Sequence, residues 1–205
     1  MAASSRPFPE RERAELADLL GSLGPDAPTC CAGWTTSHMA AHLVVRDRRP
    51  DALAGYGLEE VGLGGPAAAW SHRLEERLRR STAYPEVVSR FRAGPPAWSL
   101  LAWPVVAQKL NAAEFAIHHE DVRRAQPGWE PRLLPRTVQD GLWSLAQVFA
   151  RRPAASRTDG LVLRRSDVPG MQKHLGAGGT TVEGEPMELL LWAAGREAVA
   201  RVEIS

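Results

Sequence analysis

Apolar residues recur at helical spacing through about the first 150 positions, and no other feature limits the fold of this chain so strongly. The periodic segments extend over approximately residues 10–23, 36–49, 67–91, 106–124 and 136–151. Gly24-Pro25 ends the first segment, Pro50 ends the second, and Pro85 predicts a kink or break in the third. The glycine-rich stretch before residue 67 predicts a connection. The pattern therefore predicts a bundle of helices.

Beyond Pro153 the pattern changes from helical to strand-like. Leu161–Arg164 is a short alternating run with apolar residues, and the glycines between 176 and 179 supply turn residues. Further elements predicted here are a strand over 180–184, a short buried helix over 186–194 and a strand over 199–204. The chain is therefore predicted to be mostly α, with a helical bundle over residues 1–153 and a small α+β domain over residues 154–205.

The charge balance limits the classes of partner. Lys and Arg number 25, Asp and Glu number 24, and the net charge is +1. A chain without excess positive charge lacks the field that holds phosphates, which argues against nucleic acid as a partner. No run approaches the ~18 apolar residues of a membrane span, and charged residues stand where a signal peptide would be apolar. We therefore expect a cytoplasmic protein that binds neither nucleic acid nor membrane.

Two spaced residues in the fourth helical segment suggest metal chemistry. Glu114 and His118 are four positions apart, so a helix places them one turn apart on the same face, where both can contact one ion. His119 points about 100° away from His118 and is expected to make a hydrogen bond instead. In helical bundles, metal sites form from side chains that project inward from facing helices. A second helix must therefore complete the set.

His42 is the candidate that completes it, because it lies among apolar residues expected to face a core. Two imidazoles and one carboxylate bind zinc with an open position for water or substrate, or iron, nickel or manganese in a facial arrangement. The spacing alone leaves a second interpretation open. Glu114 and His118 can equally form a solvated hydrogen-bonded pair, and His42 can be a core histidine that binds no metal.

Three stretches of the sequence resemble a known group of proteins. They are Cys31-Ala-Gly-Trp34-Thr-Thr-Ser-His-Met-Ala-Ala-His42-Leu, then Glu114-x-x-x-His118-x-x-Asp121-Val-Arg, and Gly184-Glu-Pro-Met-Glu-Leu-Leu-Leu-Trp192-Ala-Ala-Gly195-Arg196. Together they resemble the DinB-like superfamily, and within it the mycothiol-dependent maleylpyruvate isomerase family and its actinobacterial metal-binding relatives. The resemblance extends over nearly the full length of the chain.

The resemblance implies an antiparallel four-helix bundle that holds a divalent metal, usually zinc, through His42, Glu114 and His118. It also implies mycothiol as a thiol cosubstrate, with isomerisation by reversible addition or S-transfer as the reaction class. Two features depart from the family pattern. His38 stands where an acidic residue is expected, which predicts a weaker cap on the second helix. The C-terminal portion is short, which affects substrate recognition more than metal binding.

Two further residues are candidate catalytic groups. Asp121 lies three positions after His118 and can hold the imidazole or a bound water, or else pair with Arg123 or Arg124. Arg196 matches a family arginine whose guanidinium suits bidentate binding of a substrate carboxylate, with a surface arginine at a helix end as the alternative.

Three neighbouring residues before the second helix have less defined roles. Cys30 and Cys31 are adjacent, and adjacent cysteines close a disulfide only under severe strain. Their position in a loop favours buried packing, with a thiolate near the metal as the alternative. Trp34 can line the approach to the ion or can simply be a core residue.

Three functional hypotheses follow. The first is a divalent-metal enzyme that uses a low-molecular-weight thiol, with an open coordination position beside a cavity. The second is a non-catalytic protein with a structural or sensing metal, which predicts a closed site with four ligands and a large loss of stability on chelation. The third is an interaction module that binds no metal. The sequence is compatible with a monomer or a homodimer.

Overall fold

The computed structural model describes residues 6–59, 63, 65–151 and 160–205. The chain divides into two compact units, Met1–Glu130 and Pro131–Ser205. Among the described residues, the helices of the first unit are α1 (Phe8–Leu23), α2 (Thr36–Arg48), α3 (Pro50–Glu59), α4 (Gly65–Ser81), α5 (Tyr84–Ala93) and α6 (Pro104–Arg123), with a short 3-10 helix at Leu100–Ala102.

The core of the first unit lies among α1, α2, α5 and α6. Burial of a Leu, Val or Phe side chain stabilises a fold by about 1.5–3 kcal/mol. The periodic apolar positions of the four helices supply this core, which includes Leu16, Leu20, Met39, Leu43, Val87, Phe91, Phe115 and Val122. The same packing places the polar face of α6 opposite the polar positions of α2.

The third predicted helix is observed as two helices. α4 ends at Ser81, and α5 begins at Tyr84 with Pro85 in its first turn. Proline is tolerated in a first turn because the backbone N–H that it lacks has no helical partner there. The break predicted at Pro85 is therefore confirmed.

The stretch predicted as a glycine-rich connection contains helix α3, so that prediction is wrong. Gly55 lies inside this helix, where the absence of a side chain allows α3 to pack closely against α4. A Cβ added there would lie 2.2 Å from Oγ of Ser71 and 2.4 Å from the carbonyl oxygen of Ala67, both on α4. Ala52 is buried against α4 and α2, and Tyr56 packs on the same cluster. Glycine is required here for close approach and not for a turn.

The start of α2 has a cap in which His38 takes the place of the expected acidic residue. The hydroxyl of Thr35 and the side chain of His38 form a capping box, in which Nδ1 of His38 accepts the backbone N–H of Thr35 at 3.2 Å. A ring nitrogen therefore supplies the acceptor that an acidic residue would have supplied, although not its negative charge. The reciprocal cap is therefore present, and what His38 does not supply is the negative charge that would interact with the helix N-terminus.

The second unit is a small α+β structure. It consists of α7 (Arg136–Phe149), β1 (Leu161–Arg165), β2 (Gln172–Leu175), β3 (Thr180–Gly184), α8 (Pro186–Ala193) and β4 (Glu203–Ile204). The strand order is β2-β1-β3-β4, with β1 parallel to β3 and the outer pairs antiparallel. The predicted mostly α fold with a small C-terminal sheet is confirmed.

Three details of this unit differ from the sequence predictions. β2 is an additional strand, and the predicted strand over 199–204 is limited to Glu203–Ile204. The division between the two units falls after Glu130 and not after residue 153, because α7 packs against α8 and so belongs to the second unit. α8 is buried along its whole length, in keeping with a sequence that is apolar except for Glu188, whose carboxylate accepts the backbone N–H of Arg201 at 2.8 Å.

Candidate metal centre

Helices α2 and α6 bring the three predicted ligands together. Nε2 of His42 lies 3.0 Å from Oε1 of Glu114, and Nε2 of His118 lies 3.3 Å from the same oxygen. One potential ligand atom from each residue lies within 4.8 Å of the other two. The two residues on α6 converge because they are one helical turn apart, whereas His42 reaches them from α2, which shares a hydrophobic core with α6.

Charge around the site favours an ionised Glu114. Burial raises the pKa of this carboxyl, but nearby Arg46 and His118 lower it by more, and the net pKa lies well below its ordinary value. Nε of Arg46 is 3.4 Å from Oε1 of Glu114, and its Nη1 donates to the side-chain oxygen of Asn111 at 2.7 Å. Glu114 therefore offers a negatively charged oxygen as a potential metal ligand in a largely buried position.

The surroundings of the two imidazoles raise the pKa of both. Burial lowers the pKa of His42, but its hydrogen bonds to Glu114 and Glu75 raise it by more. Burial likewise lowers the pKa of His118, but the charge of Glu114 and the hydrogen bond to Asp121 raise it well above its ordinary value. A cation that binds both nitrogens must therefore displace protons.

Asp121 contacts His118 directly. Its Oδ2 lies 2.9 Å from Nδ1 of His118, and Sγ of Cys31 donates to the same oxygen at 3.2 Å. Arg123 and Arg124, the alternative partners considered for Asp121, both donate to Glu120. The geometry thus places Asp121 behind the candidate ligand His118, where it can hold the proton on Nδ1 and leave Nε2 available.

Glu75 and Tyr56 are site residues that the sequence did not indicate. Oε1 of Glu75, on α4, lies 2.9 Å from Nδ1 of His42 and accepts the hydroxyl proton of Tyr56, on α3, at 2.5 Å. Burial raises the pKa of Glu75, but hydrogen bonds, first that from His42, lower it below its ordinary value, so it is a carboxylate. Glu75 stands in a charged segment without a distinguishing spacing, and α3 was not predicted, so no sequence signal pointed to either residue.

Trp34 lies beside the site, as one of its two predicted roles requires. Its ring centroid is 5.2 Å from that of His42, in a tilted arrangement. It also lines a cavity of about 220 Å³ together with Ala41, His72 and Glu75. Trp34 packs against the bundle core as well, so one face is a core contact and another borders the cavity.

Three further candidates stand outside the group of His42, Glu114 and His118, and each makes a hydrogen bond of its own. Nδ1 of His119 is 3.0 Å from Oε2 of Glu12 on α1, so His119 makes a buried hydrogen bond as expected. Cys30 is half-buried, and its backbone N–H donates to the carbonyl of Asp121. Arg196 follows α8 in the second unit, where its guanidinium donates to the carbonyl oxygen of Ala194 at 2.6 Å.

The donor chemistry of the three-residue group fits a divalent cation. Two imidazole nitrogens and one carboxylate oxygen form a donor set typical of catalytic zinc sites, and the facial arrangement also suits iron. Two other groups of described residues offer three donors within the same distance limit, namely Cys31 with His118 and Asp121, and Glu12 with Glu15 and His119. The first of these shares His118 with the main group.

The sequence matches no family model and no curated protein. In structure, the chain is similar to the crystal structure of the mycothiol-dependent maleylpyruvate isomerase, with a TM-score of 0.54 and 19% identity over 96% of this chain and 88% of that chain. A histidine-to-alanine mutant of a mycothiol-dependent maleylpyruvate isomerase gives a TM-score of 0.55 with the same identity and coverage. These similarities confirm the fold that the sequence resemblance implied. Among the described residues, no helix is both long and apolar enough to cross a membrane.

Proposed function

We propose that this chain belongs to the mycothiol-dependent maleylpyruvate isomerase group and is a divalent-metal-dependent enzyme that uses a low-molecular-weight thiol for isomerisation or S-transfer. The observation that carries the proposal is the convergence of His42, Glu114 and His118 in a fold shared with enzymes of that name. The thiol of the mycothiol type and the reaction class come from this likeness, since one fold supports several chemistries.

His42, Glu114 and His118 would hold the metal ion. Zinc suits this donor set best, with nickel, iron and manganese as alternatives. When bound, such an ion stabilises the thiolate form of a coordinated thiol at neutral pH and polarises an acceptor carbonyl. Catalytic zinc sites typically have three protein ligands and keep one position for water or substrate, whereas structural zinc sites have four protein ligands. The group of three residues therefore matches the catalytic type.

The protein's own residues prepare the site. Asp121 holds the Nδ1 proton of His118 and so keeps Nε2 directed towards Glu114. Arg46 stabilises the negative charge of Glu114. Trp34 packs on the ring of His42 and also borders the neighbouring cavity.

The proposal assigns Arg196 to binding a carboxylate of the substrate, the role implied by its match to the family motif. An Arg196→Lys variant keeps the positive charge but loses the planar pair of donors. It should raise KM for a carboxylate substrate more than it lowers kcat. Location in the cytoplasm and the choice between monomer and homodimer stay predictions.

Metal content followed by zinc-edge absorption spectroscopy, with and without a small thiol, tests the proposal. We expect bound divalent metal in purified protein, weaker zinc binding in the His42→Ala variant, and a sulfur atom in the first shell after thiol addition. Absence of bound metal together with wild-type zinc affinity in His42→Ala would reject the site. Metal without thiol entry, combined with unfolding on chelation, would favour the non-catalytic metal protein.

A further inference from the structure

Each candidate ligand histidine is held at Nδ1 by a carboxylate from the opposite side to Glu114. For His118 the carboxylate is Asp121, which the sequence motif already contains, at 2.9 Å. For His42 it is Glu75, outside every motif of the sequence, also at 2.9 Å. Both imidazoles therefore direct Nε2 towards Glu114 and Nδ1 towards a second carboxylate.

Glu75 is itself fixed from several directions. Its Oε1 accepts the Tyr56 hydroxyl proton at 2.5 Å, and its Oε2 lies 3.2 Å from Nδ1 of His72. Only 11% of its side chain is exposed. The ring of Tyr56 packs edge-on against that of His42 with 4.7 Å between centroids. Helices α3 and α4 therefore hold this carboxylate in one position relative to α2.

We infer that Glu75 is a positioning residue of the metal centre and that Tyr56 acts through it. A carboxylate at Nδ1 keeps the proton on that nitrogen, which fixes the tautomer and ring orientation of His42 and leaves the Nε2 lone pair free for a metal ion. Loss of such a partner typically lowers metal affinity 10–100-fold. The inference rests on the proposed function, because it requires His42 to bind a metal ion.

Zinc affinity measured against a competing chelator tests this inference. Glu75→Gln keeps an acceptor but loses the charge, so we expect about 10-fold weaker binding, and Glu75→Ala should approach ~100-fold. Tyr56→Phe removes one hydrogen bond to Glu75 and should weaken binding by about five-fold.

Two matched controls are available in the same unit. Glu76→Gln makes the same chemical change at the next residue of α4, where the carboxylate pairs with Arg79 and Arg80 near the surface. Tyr84→Phe removes a hydroxyl that donates to the carbonyl of Leu20 at 2.7 Å. Zinc affinity of both controls should stay within about two-fold of wild type, because neither contacts a ligand.

A spectroscopic readout separates positioning from general stability. In zinc-loaded protein, two-bond ¹H–¹⁵N spectra should show His42 protonated at Nδ1, with slow exchange of that proton with water. The exchange should accelerate in Glu75→Ala, while the His118 Nδ1 proton held by Asp121 should be unaffected. Thermal unfolding of each metal-free variant establishes whether it is folded. If the Glu75 variants do not fold, the zinc affinity of Tyr56→Phe decides whether the contact with Glu75 positions His42.

The possible outcomes are distinct. Wild-type protein that binds no zinc would overturn both the proposed function and this inference. Wild-type zinc binding with equal affinity in the Glu75 and Tyr56 variants would overturn the inference alone. Complete loss of binding in Glu75→Gln, as severe as in His42→Ala, would make Glu75 a ligand and would also overturn the positioning role.

Discussion

Nε2 of His42 lies 3.0 Å from Oε1 of Glu114, although 72 positions separate the two residues in the sequence. The contact joins α2 to α6 in a buried region where an unpaired charged group would be costly. Arg46, one turn after His42 on α2, approaches the same carboxylate oxygen at 3.4 Å. The carboxylate of Glu114 is therefore the point on which the polar residues of both helices converge.

Replacement of a candidate ligand should reduce zinc affinity more than replacement of a positioning residue. We expect His118→Ala to bind zinc more than about 100-fold more weakly than wild type. Loss of a residue that only hydrogen-bonds to a ligand typically lowers affinity by about 10–100-fold. His174→Ala, which changes an exposed histidine on β2, should bind zinc as wild type does. Isothermal titration with a competing chelator measures both. Equal affinity in the two variants would remove His118 from the ligand set.

Zinc binding should release protons at pH 7. The pKa of His42 is raised and that of His118 is raised well above its ordinary value, so a metal ion competes with protons for these imidazoles. We expect at least about one proton released per ion, and affinity that increases as pH rises towards the raised pKa values. Calorimetry in buffers of different ionisation enthalpy counts the protons. Binding at pH 7 without proton release would contradict the prediction.

The buried ion pair between Arg13 and Asp47 should be important for the stability of the first unit. The Arg13 guanidinium contacts both carboxylate oxygens of Asp47 and donates to the carbonyl of Phe91 at 2.8 Å. Asp47→Ala leaves this charge buried without its partner and should destabilise the unit by about 3–5 kcal/mol. Asp18→Ala, which removes an exposed pair with Arg92, should change stability by less than about 1 kcal/mol.

Urea unfolding of the two aspartate variants measures these free energies. A loss in Asp47→Ala no larger than that in Asp18→Ala would show that the buried pair contributes no more than a surface pair.

Two glycine substitutions should have opposite effects. Gly55→Ala places a methyl group 2.2 Å from Oγ of Ser71 and 2.4 Å from the carbonyl of Ala67, so α3 must move away from α4, and we expect a loss of about 1–3 kcal/mol. The displacement should also weaken zinc binding, since Tyr56 follows Gly55. Gly21→Ala, within α1 and with open space at its Cβ, should stabilise by about 0.5–1 kcal/mol.

Thermal unfolding and zinc titration of both glycine variants check this prediction. A Gly55→Ala protein as stable as Gly21→Ala would show that α3 and α4 adjust without cost.

Local periodicity was sufficient to predict several elements of the structure. The apolar spacing of α1, α2, α6 and α7 indicated helices near their observed positions, because a helix buries the residues on one stripe of its surface. The pairing of Glu114 with His118 was also predictable, since residues four apart share a helical face regardless of the rest of the fold. Helix α3 was missed because a glycine used for helix packing cannot be distinguished from a turn glycine by local sequence.

The sequence by itself determined the helical units and the donors one turn apart on α6, because both depend on spacing along one continuous segment. Tertiary structure decided that His42 meets Glu114, that Cys31 donates to Asp121, and that Glu75 with Tyr56 lies behind His42. These contacts join residues on different elements, 19 to 90 positions apart, and only the packing of those elements sets their distances. The side chains that could bind a metal were therefore partly visible in the sequence, whereas the groups that orient them were not.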